Sequence, residues 1–289
     1  MRKKTIAKWI LGLFIVSMVL QAGAAVYALV ASTTTSSTEE QPLSETMWSQ
    51  PIAADVEISQ EVMDKIKSSD PTYYEQNVAN YKKLLSVLDV HPKFRSEMER
   101  LIAANHRLSD ILVAYEYLYH SFGMAKDVES FVLQKESGQS WESIFETYKK
   151  AHASFVPQAF DSDELEQLMR TSGITADDIM LADRIAFESG KPFKELVNMR
   201  LQNQGQSWKE INAQLNLVYS ASVLPRVKVT SDEVQKYTQT GKLTQDQVAE
   251  AFVLAYKLGQ QPQGIIDQYS NGLREETIFA ETLSNKYGQ

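Results

Sequence analysis

Cysteine is absent from the 289-residue chain. That excludes disulfides, thiolate zinc sites, a cysteine nucleophile and lipid attachment through a lipobox cysteine. Histidine is scarce too, with His91, His106, His120 and His152 as the whole set. No two of them stand four residues apart, and no His-Glu-x-x-His occurs, so the pattern offers no metal site. Gly-x-Ser-x-Gly elbows, glycine-rich phosphate loops and calcium loops of the Asp-x-Asp-x-Asp-Gly kind are missing as well. Neither a cofactor nor a catalytic motif is expected.

Excess positive charge is also lacking. The net charge is -8, and the first 24 residues hold four cations and no acid, so the rest of the chain carries -12. So acidic a body repels phosphate backbones and anionic head groups, which argues against nucleic acid. A content of 43% hydrophobic and 23% charged residues is that of a globular protein with length enough to bury a core.

The N-terminus is read first among what is present. Arg2, Lys3, Lys4 and Lys8 precede an apolar run from Trp9 to Leu20, and Ala22-Gly23-Ala24 matches a signal-peptidase site. Taken through to Ala31, the same run is 23 residues long and could cross a bilayer. Residues 1–31 are therefore a signal peptide or an anchor, the second giving a membrane tether through residues 9–31. Either way the body is expected outside the cytoplasm, secreted or held at the membrane. Residues 32–56 read as a Ser/Thr-rich linker.

Beyond it the apolar spacing is helical throughout. Residues 57–94 form a lead-in, including a helix expected to start at Asp70-Pro71 and to carry Tyr74, Val78, Tyr81, Leu84, Leu85 and Leu88 on one face. A repeat follows. Gly138-Gln139-Ser140-Trp141 recurs as Gly205-Gln206-Ser207-Trp208, and at the same offset of 67 Asp110 maps to Asp177 and Gly123 to Gly190. A third copy lies 69 residues further on, with Gly190 mapping to Gly259 and no tryptophan motif. The copies run 95–161, 162–230 and 231–289.

Each copy predicts four short helices. The first starts at Ser162 or Ser231, and the second starts after Thr175 or Thr244 and closes at Gly123, Gly190 or Gly259. The fourth opens at the tetrapeptide, with Ser207 as cap, Glu210 completing a capping box, and Trp141 or Trp208 as a plug docking one unit onto the next. The expected fold is all-α: tandem four-helix repeats of about 68 residues forming a short α-solenoid or compact helical array.

The period is twice that of a tetratricopeptide unit, but that family's tryptophan, tyrosine and proline pattern is absent. A glycine-closed helix, a short helix and then Gly-x-Ser/Gly-Trp-x-x-Ile is similar to small helical repeats of exported bacterial proteins of no assigned function, over roughly residues 108–145 and 175–215. The resemblance implies no activity.

Two sets of residues are candidates for function. Tyr115 and Tyr119 share a helix face where the other copies have alanine, so they either fill space beside the lead-in or line a ligand groove. Glu97, Glu99, Glu164, Glu166 and Glu188 are acids that a glycan hydrolase could pair, and Glu188-Ser189 resembles the start of the lytic transglycosylase pattern. The rest of that pattern, including its downstream Gly-Leu-Met-Gln, is missing, and helix-end roles explain the acids more simply. The leading expectation is a non-enzymatic protein that binds another protein or a cell-envelope polymer. The alternatives are a carboxylate hydrolase and an anchored sensor or assembly factor.

Overall fold

The computed structural model describes residues 56–288 apart from 171–172 and 203–204. The signal or anchor segment and all but the end of the linker lie outside the described residues. Within them the chain is all-α, with fourteen helices and, as the sole extended pairing, an isolated bridge between Met124 and Leu217. No described helix is long and apolar enough to cross a membrane.

The lead-in supplies α1 (Gln60–Ser69) and α2 (Tyr74–Val87). Asp70 does not open α2 as expected. Its backbone closes α1 on Ile66, and its carboxylate accepts from the Tyr73 amide in the turn ahead of the helix. The remaining helices fall into four sets whose starts recur every 67 to 70 residues. The first set is α3 (Pro92–Ala103), α7 (Ser162–Arg170) and α11 (Ser231–Thr238); the second is α4 (Leu108–Ser121), α8 (Ala176–Ser189) and α12 (Gln245–Leu258). The third is α5 (Lys126–Glu136), α9 (Phe193–Leu201) and α13 (Pro262–Ser270); the fourth is α6 (Trp141–Ala151), α10 (Trp208–Gln214) and α14 (Glu275–Tyr287).

Local chemistry explains the boundaries. Thr175 and Thr244 make capping boxes with Asp178 and Gln247. The caps of α7 and α11 fall one residue earlier than expected: Asp161 accepts from the Asp163 amide, and Thr230 makes a capping box with Glu233. Ser140 and Ser207 cap α6 and α10, but the Glu210 carboxylate meets His91 at 3.2 Å and not its own cap.

At the ends of α8 and α12, Gly190 and Gly259 are left-handed (φ 69° and 65°). Gly123 breaks the expected pattern. The left-handed residue after α4 is Phe122 (φ 57°), held there by its ring stacking on Tyr219 at 4.0 Å. Gly123 answers a different need, because a Cβ there would come within 2.4 Å of Leu118 Cδ2.

Two compact units result, and they do not follow the expected repeat boundaries. Among the described residues, the larger joins residues 56–224 to residues 276–288, and the smaller is Pro225–Glu275. The larger unit is centred on α4, of whose 14 residues 12 are buried. A helix apolar nearly all round belongs inside a fold. In the smaller unit Val248, Ala251 and Leu254 of α12 form a core with Ile265 and Ile266 of α13.

Candidate functional site

Tyr115 and Tyr119 do line a groove, and the chain fills it. Leu217–Ser220, the stretch after α10, crosses this face of α4 buried. Backbone polar groups so deeply buried must be paired. Accordingly the Val218 amide donates to the Gly123 carbonyl at 3.1 Å, and the Ala125 amide donates to the Asn216 carbonyl at 2.8 Å. The Tyr115 hydroxyl donates to the Val218 carbonyl at 3.4 Å, and the Tyr119 ring lies 5.0 Å from that of Tyr219. At 1% and 3% exposure, neither tyrosine is open to a ligand. Of the two expected roles it is packing that the burial supports, and the candidate ligand role of Tyr115 and Tyr119 is corrected: the extra ring volume holds an extended segment in place.

The tetrapeptide tryptophans are also interior. Trp208 is 2% exposed, and its indole N–H donates to Asp178 Oδ1 at 2.7 Å. The same carboxylate accepts from Arg200 Nε at 2.9 Å and from the Thr175 amide and hydroxyl. Burial pushes the Asp178 carboxyl upward, but bonds from Thr175, Trp208 and Arg200 outweigh it and hold it below the usual range. The bonds join α10 to α8 and α9, within residues 162–230, where docking of one unit onto the next was expected. Trp141 is buried beside Phe145, with Lys135 Nζ 5.8 Å above its ring.

Four of the five candidate acids are tied down near the surface. Glu97 pairs with Arg100 at 2.7 Å, Glu99 with Arg95 at 2.8 Å, Glu166 with Arg170 at 2.5 Å and Glu164 with Lys194 at 3.5 Å. Glu188 stands apart. Its carboxylate meets Arg184 at 2.6 Å, and the buried guanidinium lies between two rings, 4.7 Å from Phe122 and 4.9 Å from Phe155. Burial raises the Glu188 carboxyl above its usual value, with Arg184 and His152 opposing. Asp127, at the start of α5, is likewise raised by burial, against Lys126 and His152. His152 stacks on Tyr148 at 3.9 Å, and its Nδ1 lies 2.8 Å from the Tyr148 carbonyl oxygen. Burial lifts the Tyr148 hydroxyl, and Asp127 and Glu188 add to the rise.

Two large apolar groups of the neighbouring segments are exposed. Phe187, next to Glu188, is 39% exposed and Val156 is 57% exposed. The buried Phe155 ring is edge-on to Phe187 at 5.4 Å. By contrast, the cavity lined by Asp70, Asn77, His106 and Arg107 has room for about one water, at about 10 Å³. No group of three or more His, Asp or Glu among the described residues is set to hold a metal.

Sequence reasoning missed the most deeply buried charge. Glu116, at 0% exposure, accepts from Lys286 Nζ at 2.8 and 2.9 Å and from the Tyr287 hydroxyl, with His120 Nε2 3.9 Å away. The available signal was a glutamate in the middle of an otherwise apolar helix. Asp183, 67 positions on, is the matching acid of α8 and accepts the Gln158 amide at 2.9 Å. Comparison with family models, curated proteins and solved structures finds no match to this chain.

Proposed function

We propose that this chain is an exported, non-enzymatic helical-repeat protein that binds another protein or a cell-envelope polymer through the face around Phe187 and Glu188. The observation that carries the reading is the exposure of Phe187 on α8, next in sequence to the half-buried, ion-paired Glu188. The N-terminal sequence supports export, and the recurrence of helix starts at 67 to 70 residues supports three copies of one unit. Solenoid-like arrays commonly work by presenting a surface.

The test compares the full chain with its Phe187→Ser variant on envelope fractions. A partner or polymer retained by the first and lost by the second supports the reading. No retained material, together with glycan-cleaving activity, overturns it. Mass spectrometry of the mature N-terminus separates the secreted form from the anchored one.

One observation favours the hydrolase as a second reading. Glu188 and Asp127 both have carboxyls raised by burial, as a general acid requires. That reading needs glycan cleavage by the wild type to vanish in Glu188→Gln.

A further inference from the structure

In two of the three copies the fourth helix packs on its own copy. Phe145 of α6 stacks on Tyr117 of α4 at 3.7 Å, and Trp208 of α10 reaches Asp178 of α8 at 2.7 Å. The third copy lends its fourth helix to the first. Phe279 of α14 lies edge-on to Tyr117 of α4 at 5.3 Å, and Lys286 pairs with Glu116 at 2.8 Å. Thr277 donates to Glu142 of α6 at 2.7 Å, and the Lys286 carbonyl accepts from Asn80 of α2 at 3.4 Å. Ile278, Phe279 and Leu283 are buried there. The chain enters α14 through residues 271–274, at the end of the smaller unit. Gly272 in that turn is left-handed (φ 85°), its amide donating to the Tyr269 carbonyl at 2.9 Å. A Cβ on Gly272 would meet nothing within 4 Å, so only the backbone conformation calls for glycine. Short hinges at the foot of a terminal element are where chains trade that element.

We infer that two copies of this chain associate by exchanging α14, each inserting its helix against α2, α4 and α6 of the other. The contacts are the same whether the helix comes from its own chain or from a second one, so concentration and the hinge decide between the two. The groove also selects its occupant. Withdrawing α14 strips Glu116 of both Lys286 and the Tyr287 hydroxyl, and a buried carboxylate without its partners is costly. A second copy returns both groups in register, which an unrelated apolar helix does not. Phe187 and Glu188 take no part, so this association is independent of the binding function proposed above.

The experiment reads the mass of the full chain by size-exclusion chromatography with light scattering over a concentration series. Passage from monomer to dimer is expected as concentration rises. Gly272→Ala penalises the left-handed turn but not a hinge opened into helix, and should lower the dissociation constant at least about tenfold. Glu116→Lys and Lys286→Glu each place like charges in the groove, within one chain or between identical copies, and should each stay monomeric. Mixed, they bring Glu116 of one chain to Lys286 of the other, and the reversed groups to each other, and should form a heterodimer. Where circular dichroism shows that a reversed chain does not fold, chains labelled at the exposed positions Glu281→Cys and Ser130→Cys replace the pair. The lack of native cysteine makes each label unique, and Gly272→Ala should raise energy transfer between the two labelled chains. Absence of a dimer in both the wild type and Gly272→Ala overturns the inference. So does a dimer indifferent to Gly272→Ala, or a failure of the folded, mixed variants to associate, because another surface would then hold the copies together.

Discussion

Glu116 and Lys286 are 170 residues apart in the chain, yet the lysine Nζ lies 2.8 Å from the carboxylate. The pair fastens α14 onto α4 inside the larger unit, and the Tyr287 hydroxyl donates to the same carboxylate. Thr277 and Glu276 hold the other end of α14, through Glu142 at 2.7 Å and Lys149 at 2.5 Å. Removing one member of a buried pair leaves an uncompensated charge. Lys286→Met should therefore cost about 3 to 5 kcal/mol in urea denaturation. The double variant Glu116→Gln with Lys286→Met should recover much of that loss, because the desolvation of both charges is relieved together.

The same pair sets a pH dependence. Burial raises the Glu116 carboxyl, against the opposing influence of Lys286 and Tyr287, so its contribution is fully present below the ordinary carboxylate range and fades as pH rises through the raised value. Burial lowers the Lys286 ammonium to about 8, against Glu116, so its contribution is present above the ordinary ammonium value and fades as pH falls through about 8. Stability should thus pass through a shallow minimum around neutral pH. Urea midpoints measured across pH should show the dip in the wild type and its flattening in the double variant. A maximum at neutral pH in place of the dip would contradict this account.

Trp208 tests the tetrapeptide. Trp208→Ala should cost about 3 to 5 kcal/mol, the usual loss for a buried large aromatic. Trp208→Phe keeps most of the ring but leaves Asp178 without the indole N–H. It should cost about 1 to 3 kcal/mol, because Thr175 and Arg200 still hold the carboxylate. Calorimetric melts of the two variants separate packing from the hydrogen bond.

Gly123 and Gly190 occupy matching places and should fail for different reasons. A Cβ on Gly190 meets nothing within 4 Å, so Gly190→Ala should cost only the left-handed backbone penalty, about 1 to 2 kcal/mol. Asparagine there should cost less, because it tolerates that conformation. At Gly123 the obstacle is Leu118, with the Tyr148 hydroxyl 2.9 Å from the added atom. Gly123→Ala should cost about 1 to 3 kcal/mol through overpacking. Asparagine should give no relief there.

What the sequence determined by itself is what short-range chemistry controls. Helical spacing, threonine and serine caps and the glycines after α8 and α12 are legible within a few turns of chain, the recurrence near 67 residues is legible along the whole sequence, and the helix starts follow both. The all-α class comes from those same local rules. The candidate site was visible only in part. Glu188 could be noticed for its neighbour Ser189, but nothing nearby indicated that Arg184 would be clamped between Phe122 and Phe155 or that Asp127 would share its surroundings. Tertiary structure alone decided that Leu217–Ser220 occupies the tyrosine groove, that Phe122 and not Gly123 takes the left-handed turn, and that α14 joins the larger unit through Glu116. Each is a contact between segments far apart in the chain. Residue spacing encodes which face of a helix is apolar, but not which distant segment will cover it.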